Sequence, residues 1–343
     1  MNKQSIKGEI VQEYLKHWSH LPSLSLAKMI YKRNKSAFVD VENVRTMIRY
    51  YRGQKGAADR ERLQNKEHMT SEKAQQAKAL GIANPFGLPE SDEAEWEPFI
   101  LPKAATRILL LSDIHVPYHN IDAITKAIEY GKQQNVNAIV FNGDTVDCYA
   151  LSRYESDPRK RRFSEELEAT QQLLQVFRKE FDGVPFYFKL GNHEERFEAY
   201  LRTKAPELIG TSDFTMDQLL RFEDLGCTLI QDKRVIKAGK LSIMHGHEFG
   251  KSGSGSGAVN PAHTYYNRAK VSVICGHNHQ TSEHSERSLD GKVVTAWSTG
   301  CLSELHPEFL PVNKWNHGFA IIRVDGNGDF EVDNLRIIKG KVR

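Results

Sequence analysis

The sequence predicts a mixed α/β (α+β) chain in which two β-sheets pack together with helices outside, preceded by a small all-α domain. Three observations carry this. Apolar residues in the first fifty positions recur with helical period, strand and helix patterns alternate from residue 107, and the later part is rich in short strands broken by turn residues. At 343 residues, 39% hydrophobic and 27% charged, the chain can bury one large core with a small satellite.

In the head, Val11, Tyr14, Leu15 and Trp18 form a first helical stripe. Leu26, Met29 and Ile30 form a second after the breaker Pro22, and Val41, Val44, Ile48 and Tyr51 a third, with Asp40 as its N-cap. Arg45, Arg49 and Arg52 recur at i, i+4, i+7, so one face of the third helix carries three guanidinium groups before Gly53 ends it. The net charge of +3 is uneven: residues 1–60 hold twelve Lys/Arg against five Asp/Glu, which leaves the remainder at −4. A three-helix unit with a basic last helix looks like a helix-turn-helix whose third helix enters a DNA groove. A helical bundle with a solvated basic face, needing no nucleic acid, is the competing reading. The head is assigned to residues 1–55.

Residues 56–104, rich in Lys, Glu, Gln and Ala and then in Pro and Gly, read as a linker, and 105–343 as the catalytic domain. Within the latter, "RILLLSDIH" is a buried strand, Ile121 to Gln134 a helix and "NAIVFNGD" a strand. Ser164 to Phe181 is a helix and "VPFYFKLGN" a third strand. "RVIKAGKLSIMHGH" reads as a hairpin at Ala238-Gly239, "KVSVICGHNH" as a buried strand, and "GFAIIRVDGNGDFEVDNLRII" as a hairpin turning at Asp325 to Gly328.

The polar residues fall at the carboxyl ends of these strands: Asp113 and His115, Asp144, Asn192 and His193, His245 and His247, His277 and His279. Open α/β sheets gather their sites along that edge. A lone histidine there is an ordinary turn residue; five strand ends together point to metal. Two carboxylates, an amide oxygen and several imidazoles suit Mn, Fe or Zn better than Ca, and the thiolates of structural zinc are missing. More than four ligands imply two ions sharing a carboxylate. Two such ions about 3.5–4 Å apart hold an activated, metal-bridging hydroxide for attack on a phosphate ester.

In order, "DIH" (113–115), "GDTVD" (143–147), "GNHE" (191–194), "HGH" (245–247) and "GHNH" (276–279) resemble the calcineurin-like metallophosphoesterase superfamily over roughly residues 107–340. The resemblance implies a four-layer fold, a double β-sandwich flanked by helices. It implies Asp113, His115 and His279 on one divalent ion and Asn192, His245 and His277 on another, with Asp144 bridging. Manganese is the first expectation, with iron, zinc or nickel as alternatives. It makes His193 the general acid that protonates the leaving oxygen. Glu194 is expected to orient His193 or to open the next helix, and Asp147 to support the bridging loop. His247 is left between a supporting partner of a ligand and an ordinary polar residue.

Phosphoprotein phosphatases of this superfamily carry an arginine after the second motif and another before the third. Here the text is "GDTVDCY" and "KLGNHE", with Arg153 and Arg196 as the nearest substitutes. "FGKSGSGSG" (249–257) lacks the first glycine of a phosphate loop and reads as a mobile loop that brings Lys251 near substrate, or as a plain connector. "DPRKRRF" (157–163) is a basic cluster, solvated or phosphate-binding. Trp297, Trp315 and the phenylalanines are expected in the core, and His306 at the surface. Cys148, Cys227, Cys275 and Cys301 show no framework spacing and read as reduced thiols. With no apolar run of roughly 18 to 20 residues and no signal-like start, a cytoplasmic protein without membrane contact is expected. The whole chain also looks like phage or prophage metallophosphoesterases with an N-terminal helical module. The leading function is a two-metal phosphodiesterase or nuclease acting on nucleic acid. The alternatives are a phosphoprotein phosphatase, a small-molecule or cyclic-nucleotide phosphodiesterase, and a DNA-binding regulator with a scaffold phosphoesterase domain. The sequence sets no oligomeric state.

Overall fold

The computed structural model describes residues 6–52, 79–80, 84, 88–89, 96–152, 162–250 and 257–343. It divides into two compact units, Met1–Glu95 and Trp96–Arg343. Most of the linker expected over 56–104, Arg153, the 251–256 segment with Lys251, and residues 157–161 of the basic cluster lie outside the described residues.

The first unit holds α1 (Ile6–His17), α2 (Ser23–Arg33) and α3 (Val41–Tyr51). Asp40 caps α3, its carboxylate accepting from the Asn43 amide at 2.6 Å. Val11, Leu26, Ala27, Ile30, Val44 and Ile48 form the shared core with Phe38. The expected arginine face is not a free surface. Arg45 is 9% exposed and reaches Glu42 at 3.4 Å. Arg52 turns back to donate to Ser23 Oγ at 2.9 Å and to the carbonyls of Ser19 and Leu21. Positions 45, 49 and 52 border the apolar stripe of α3, and long guanidinium stems bury along such an edge while their heads seek local carbonyls.

The second unit is built on two sheets. One contains β2 (Arg107–Leu111), β3 (Ala138–Asn142), β4 (Phe186–Lys189) and β5 (Cys227–Ile230), all parallel. It is extended beyond β2 by antiparallel β11 (Gly318–Val324), β12 (Phe330–Ile338) and β13 (Lys341–Val342). The other runs in the order β1 (Phe99–Ile100), β6 (Ile236–Ala238), β7 (Leu241–Met244), β8 (Val273–Cys275), β10 (Val293–Ser298), β9 (Ser282–Arg287). Strand β1 falls inside the expected linker; two residues are too few to show a period. Charged β9 lies on an edge, where such residues deter further pairing.

Strand periodicity explains the layering. Ile108, Leu110, Ala138 and Val140 face Leu241, Ile243 and Ile274 between the sheets. Their neighbours Leu109, Leu111, Ile139 and Phe141 face α4 (Ile121–Gln133) and α5 (Phe163–Glu180) through Ala127, Leu174 and Phe177. On the far side Met244, Val273 and Cys275 pack on α9 (Pro261–Ala269) through Ala262 and Tyr265. The result is four layers, helix, sheet, sheet, helix, as expected. Shorter helices α6 (Glu195–Lys204), α7 (Met216–Leu219) and α8 (Phe222–Leu225) follow β4. Trp297 is buried as expected, and the cysteines are free thiols. Among the described residues no helix is long and apolar enough to cross a membrane.

Candidate active site

Parallel pairing brings the carboxyl ends of β2, β3 and β4 to one edge, and β7 and β8 bring theirs to the facing edge of the second sheet. Donor atoms of Asp113, His115 and His279 lie within 4.8 Å of one another, as do those of Asp144, His245 and His277. Asp144 lies between the groups: its Oδ2 is 3.2 Å from His245 Nε2 and 3.9 Å from His115 Nε2. Asn192 Oδ1 stands 3.3 Å from His245 Nε2. The structure therefore gathers all seven expected ligands.

Local backbone geometry aims them. Asp113, His115, Asp144, His277 and His279 all have φ between 53° and 71°, the left-handed region that side chains other than glycine rarely occupy. Such conformations persist only where the surroundings over-determine them. Gly191 permits a close approach, because a methyl there would overlap the Asp144 carboxylate and amide. At Gly276 a Cβ would lie 2.5 Å from Asp113 Oδ2.

The donor set fits divalent cations. His115 Nε2 and His279 Nε2 face each other at 3.1 Å, with Asp113 Oδ1 3.2 Å from the latter. Burial alone would lower the pKa of His245 and His279, but Asp144 and Asp113 respectively pull them up to about 10. The pocket thus calls for positive charge between its carboxylates. His277 is pushed down to about 4 by burial and by neighbouring His245, and His115 downward by burial and His193, so both offer neutral imidazoles.

The supporting residues were less visible in the sequence. Asp147 Oδ1 is 2.8 Å from His115 Nδ1 and 3.1 Å from His193 Nδ1, so one carboxylate orients both rings. His193 Nδ1–H donates to the Asp147 carbonyl at 2.8 Å, which turns Nε2 toward Asp144 Oδ2, 3.8 Å away, and toward Arg196 Nη2 at 2.9 Å. Burial lowers the His193 pKa, yet Asp144 and Asp147 together raise it further than Arg196 and burial depress it. Glu194 is buried and accepts from the amides of Asp144, Thr145, Val146 and Gly191, holding the second and third motifs together. His247 Nε2 pairs with Glu195 at 3.0 Å and ties its loop to α6. Trp315 is a correction to the expected core: its half-buried ring centroid lies 4.0 Å from that of His279.

Lys189, where the resemblance implies a phosphate-gripping arginine, is instead 1% exposed and paired with Glu248 at 2.9 Å. Glu248 in turn accepts from the amides of His245 and Gly246. Burial would raise the Glu248 pKa, but Lys189 leads the charges that hold it at about 2. A depressed carboxylate stabilises the fold above its ordinary pKa of 4.5 and loses that contribution as pH falls towards about 2. Lys189→Met strands this buried charge and is expected to destabilise the chain by about 3–5 kcal/mol at pH 7. Denaturant unfolding at pH 7 and pH 4 checks this, the deficit narrowing at the lower pH; an unchanged midpoint at pH 7 would refute it.

A strand-end cluster of carboxylates, amide and imidazoles on a double sandwich defines a phosphoesterase centre. Residues 106–281, just over half of the chain, match the calcineurin-like phosphoesterase family. The chain belongs to that family and is a metal-dependent phosphoric ester hydrolase. It is similar to the gene 54 proteins of Mycobacterium phages L5 and D29, each 27% identical over 232 residues. The matches span 64% of this chain and 89% and 90% of the phage proteins. Among solved structures it is similar to a Vps29 double mutant from Entamoeba histolytica, with 14% identity and a TM-score of 0.37 over 69% of this chain and 96% of that one. It is also similar to the phosphoesterase YfcE from E. coli, with 14% identity and a TM-score of 0.31 over 66% and 98%.

Proposed function

We propose that the enzyme is a two-metal phosphodiesterase that cleaves nucleic acid. Asp113, His115 and His279 would hold one cation, Asn192, His245 and His277 the second, and Asp144 both, with manganese the first choice. Two divalent cations so placed supply a nucleophile from water at neutral pH and neutralise charge on the phosphoryl oxygens. Asp147 keeps the His115 and His193 rings in register. His193 would carry the proton for the leaving oxygen on Nε2, the nitrogen turned toward the shared carboxylate, once Arg196 Nη2, 2.9 Å from it, has swung aside.

The observation that favours a diester is the fate of the nearby cations among the described residues. Lys189 is buried on Glu248, and Arg196 donates to the Asp147 carbonyl at 3.0 Å while facing His193. Both are engaged within the protein, and a monoester dianion needs guanidinium groups to spare. In the head, Lys32, Arg33 and Lys35, at and just beyond the end of α2, form one exposed basic group, besides Lys16 on α1 and Lys28 on α2, which are exposed too. That patch, rather than the α3 arginines, supports contact with a phosphate backbone.

The test is a Mn²⁺-supplemented panel of a phosphomonoester, an aryl phosphodiester, cyclic nucleotides, and single- and double-stranded DNA. Preferred turnover of nucleic acid and the diester is expected. Activity on the monoester alone would overturn the reading.

A further inference from the structure

Beside the metal ligands stands an aromatic loop that the hydrolytic machinery does not use. Residues 304–316 leave the end of the second sheet and return to β11, and both ends are tied to the site. The Glu304 amide donates to Tyr118 O at 2.8 Å and the Asn316 amide to His279 O at 2.9 Å. Between them the loop is braced by its own polar groups. Asn313 Nδ2 donates to Leu305 O and Leu310 O, Asn313 Oδ1 accepts from the Trp315 amide, and His306 Nδ1 lies 2.9 Å from Pro311 O. This scaffold presents apolar side chains to water: Phe309 is 79% exposed and Val312 89%. The Phe309 ring stands edge-on to Trp315 at 6.2 Å, and Trp315 packs on His279.

A loop that ordered itself only to fill space would turn these rings inward. Here they form an apolar wall that begins beside His279, so a group attached to a phosphate at the centre has this wall beside it. We propose that Phe309 and Trp315 are a stacking subsite for an unpaired nucleobase flanking the scissile phosphate, making single-stranded nucleic acid the preferred substrate. The subsite rests on the phosphodiesterase reading above and deepens it. Base stacking on aromatic side chains tolerates any base, because every base has a π-face. It therefore confers preference for strandedness rather than sequence. Bases paired and stacked within a duplex are withheld from it.

The test uses the full chain and two fluorescent oligonucleotides of equal length and charge, one carrying bases and one abasic across its centre. Binding is followed by anisotropy on the Mn²⁺-loaded enzyme, with non-hydrolysable phosphorothioate linkages in both strands so that no turnover intervenes. Phe309→Ala and Trp315→Ala are each expected to weaken binding of the base-bearing strand by roughly tenfold or more while leaving the abasic strand unchanged. Trp315→Phe should restore most of the loss. Equal loss on both strands, or no loss from Phe309→Ala, an exposed position whose truncation leaves the core intact, overturns the proposal. Hydrolysis of the same strands, made with ordinary phosphodiester linkages, with Mn²⁺ separates the two ideas. Base-dependent binding without cleavage would defeat the nuclease reading and spare the subsite. Cleavage indifferent to the bases would do the reverse.

Discussion

Glu194→Gln is expected to cost the enzyme most of its metal and its activity together. The carboxylate receives four backbone N–H groups, at 3.0 Å from Asp144, 2.6 Å from Thr145, 2.8 Å from Val146 and 2.8 Å from Gly191. An amide accepts on one oxygen only and turns two hydrogens of its own against the remaining donors. At least two buried N–H groups lose their acceptor, at about 1–3 kcal/mol each. In a unit of this size that corresponds to a Tm lower by roughly 5–15 °C. The loop that carries Asp144 and the loop that carries Asn192 would both be released, so activity should fall by roughly 10–100-fold. Thermal denaturation and elemental analysis of the purified variant check this. A variant with wild-type Tm and full metal content would show that Glu194 merely opens helix α6.

His193→Ala is expected to behave in the opposite way, with metal content kept and turnover lost. The ring bonds Asp147 and faces Asp144; its donor atom also lies within 4.8 Å of donors of His115 and Asp144, but its removal leaves the seven residues assigned to the cations in place. General acid catalysis is worth about 10²–10⁴-fold, and the loss should be largest for a diester with a poor alkoxide leaving group. An aryl ester, whose leaving group needs no proton, should retain much of its rate. Measuring kcat on both substrates with metal content on the same sample decides the matter. An equal loss on the two esters, or loss of both metals, would remove His193 from the role of proton donor.

The two variants differ in how far each residue was legible in sequence. His193 stands in a strand-to-turn motif beside Asn192, and its residue type and place are local facts. Glu194 could be read only as a helix opener or an orienting group, because three of its four donors lie 48 to 50 residues away. Asp147 was seen as a loop support, and its hold on both His115 and His193 depends on how β2, β3 and β4 pair. Helix α9 is hard to read from the sequence although Asn260 before Pro261 is an N-cap followed by a favoured first-turn proline, because the glycine-rich stretch ahead of it masks the signal. Strand β5 is short and partly exposed, and without its neighbour β4 nothing marks it as a strand.

By itself the sequence determined the helical pattern of the head, the alternation of strands and helices after it, and the seven residues that stand at the carboxyl ends of strands. These follow from period and residue type, which are written along the chain. Only the tertiary structure decided what the remaining polar and aromatic groups do. It buried Lys189 on Glu248, folded Arg45 and Arg52 into the helical head, and set Trp315 against His279 rather than in the core. The physical reason is the same in each case: a charge or a ring takes its role from its partner, and the partner is set by which strand ends and helix faces the packed layers bring together.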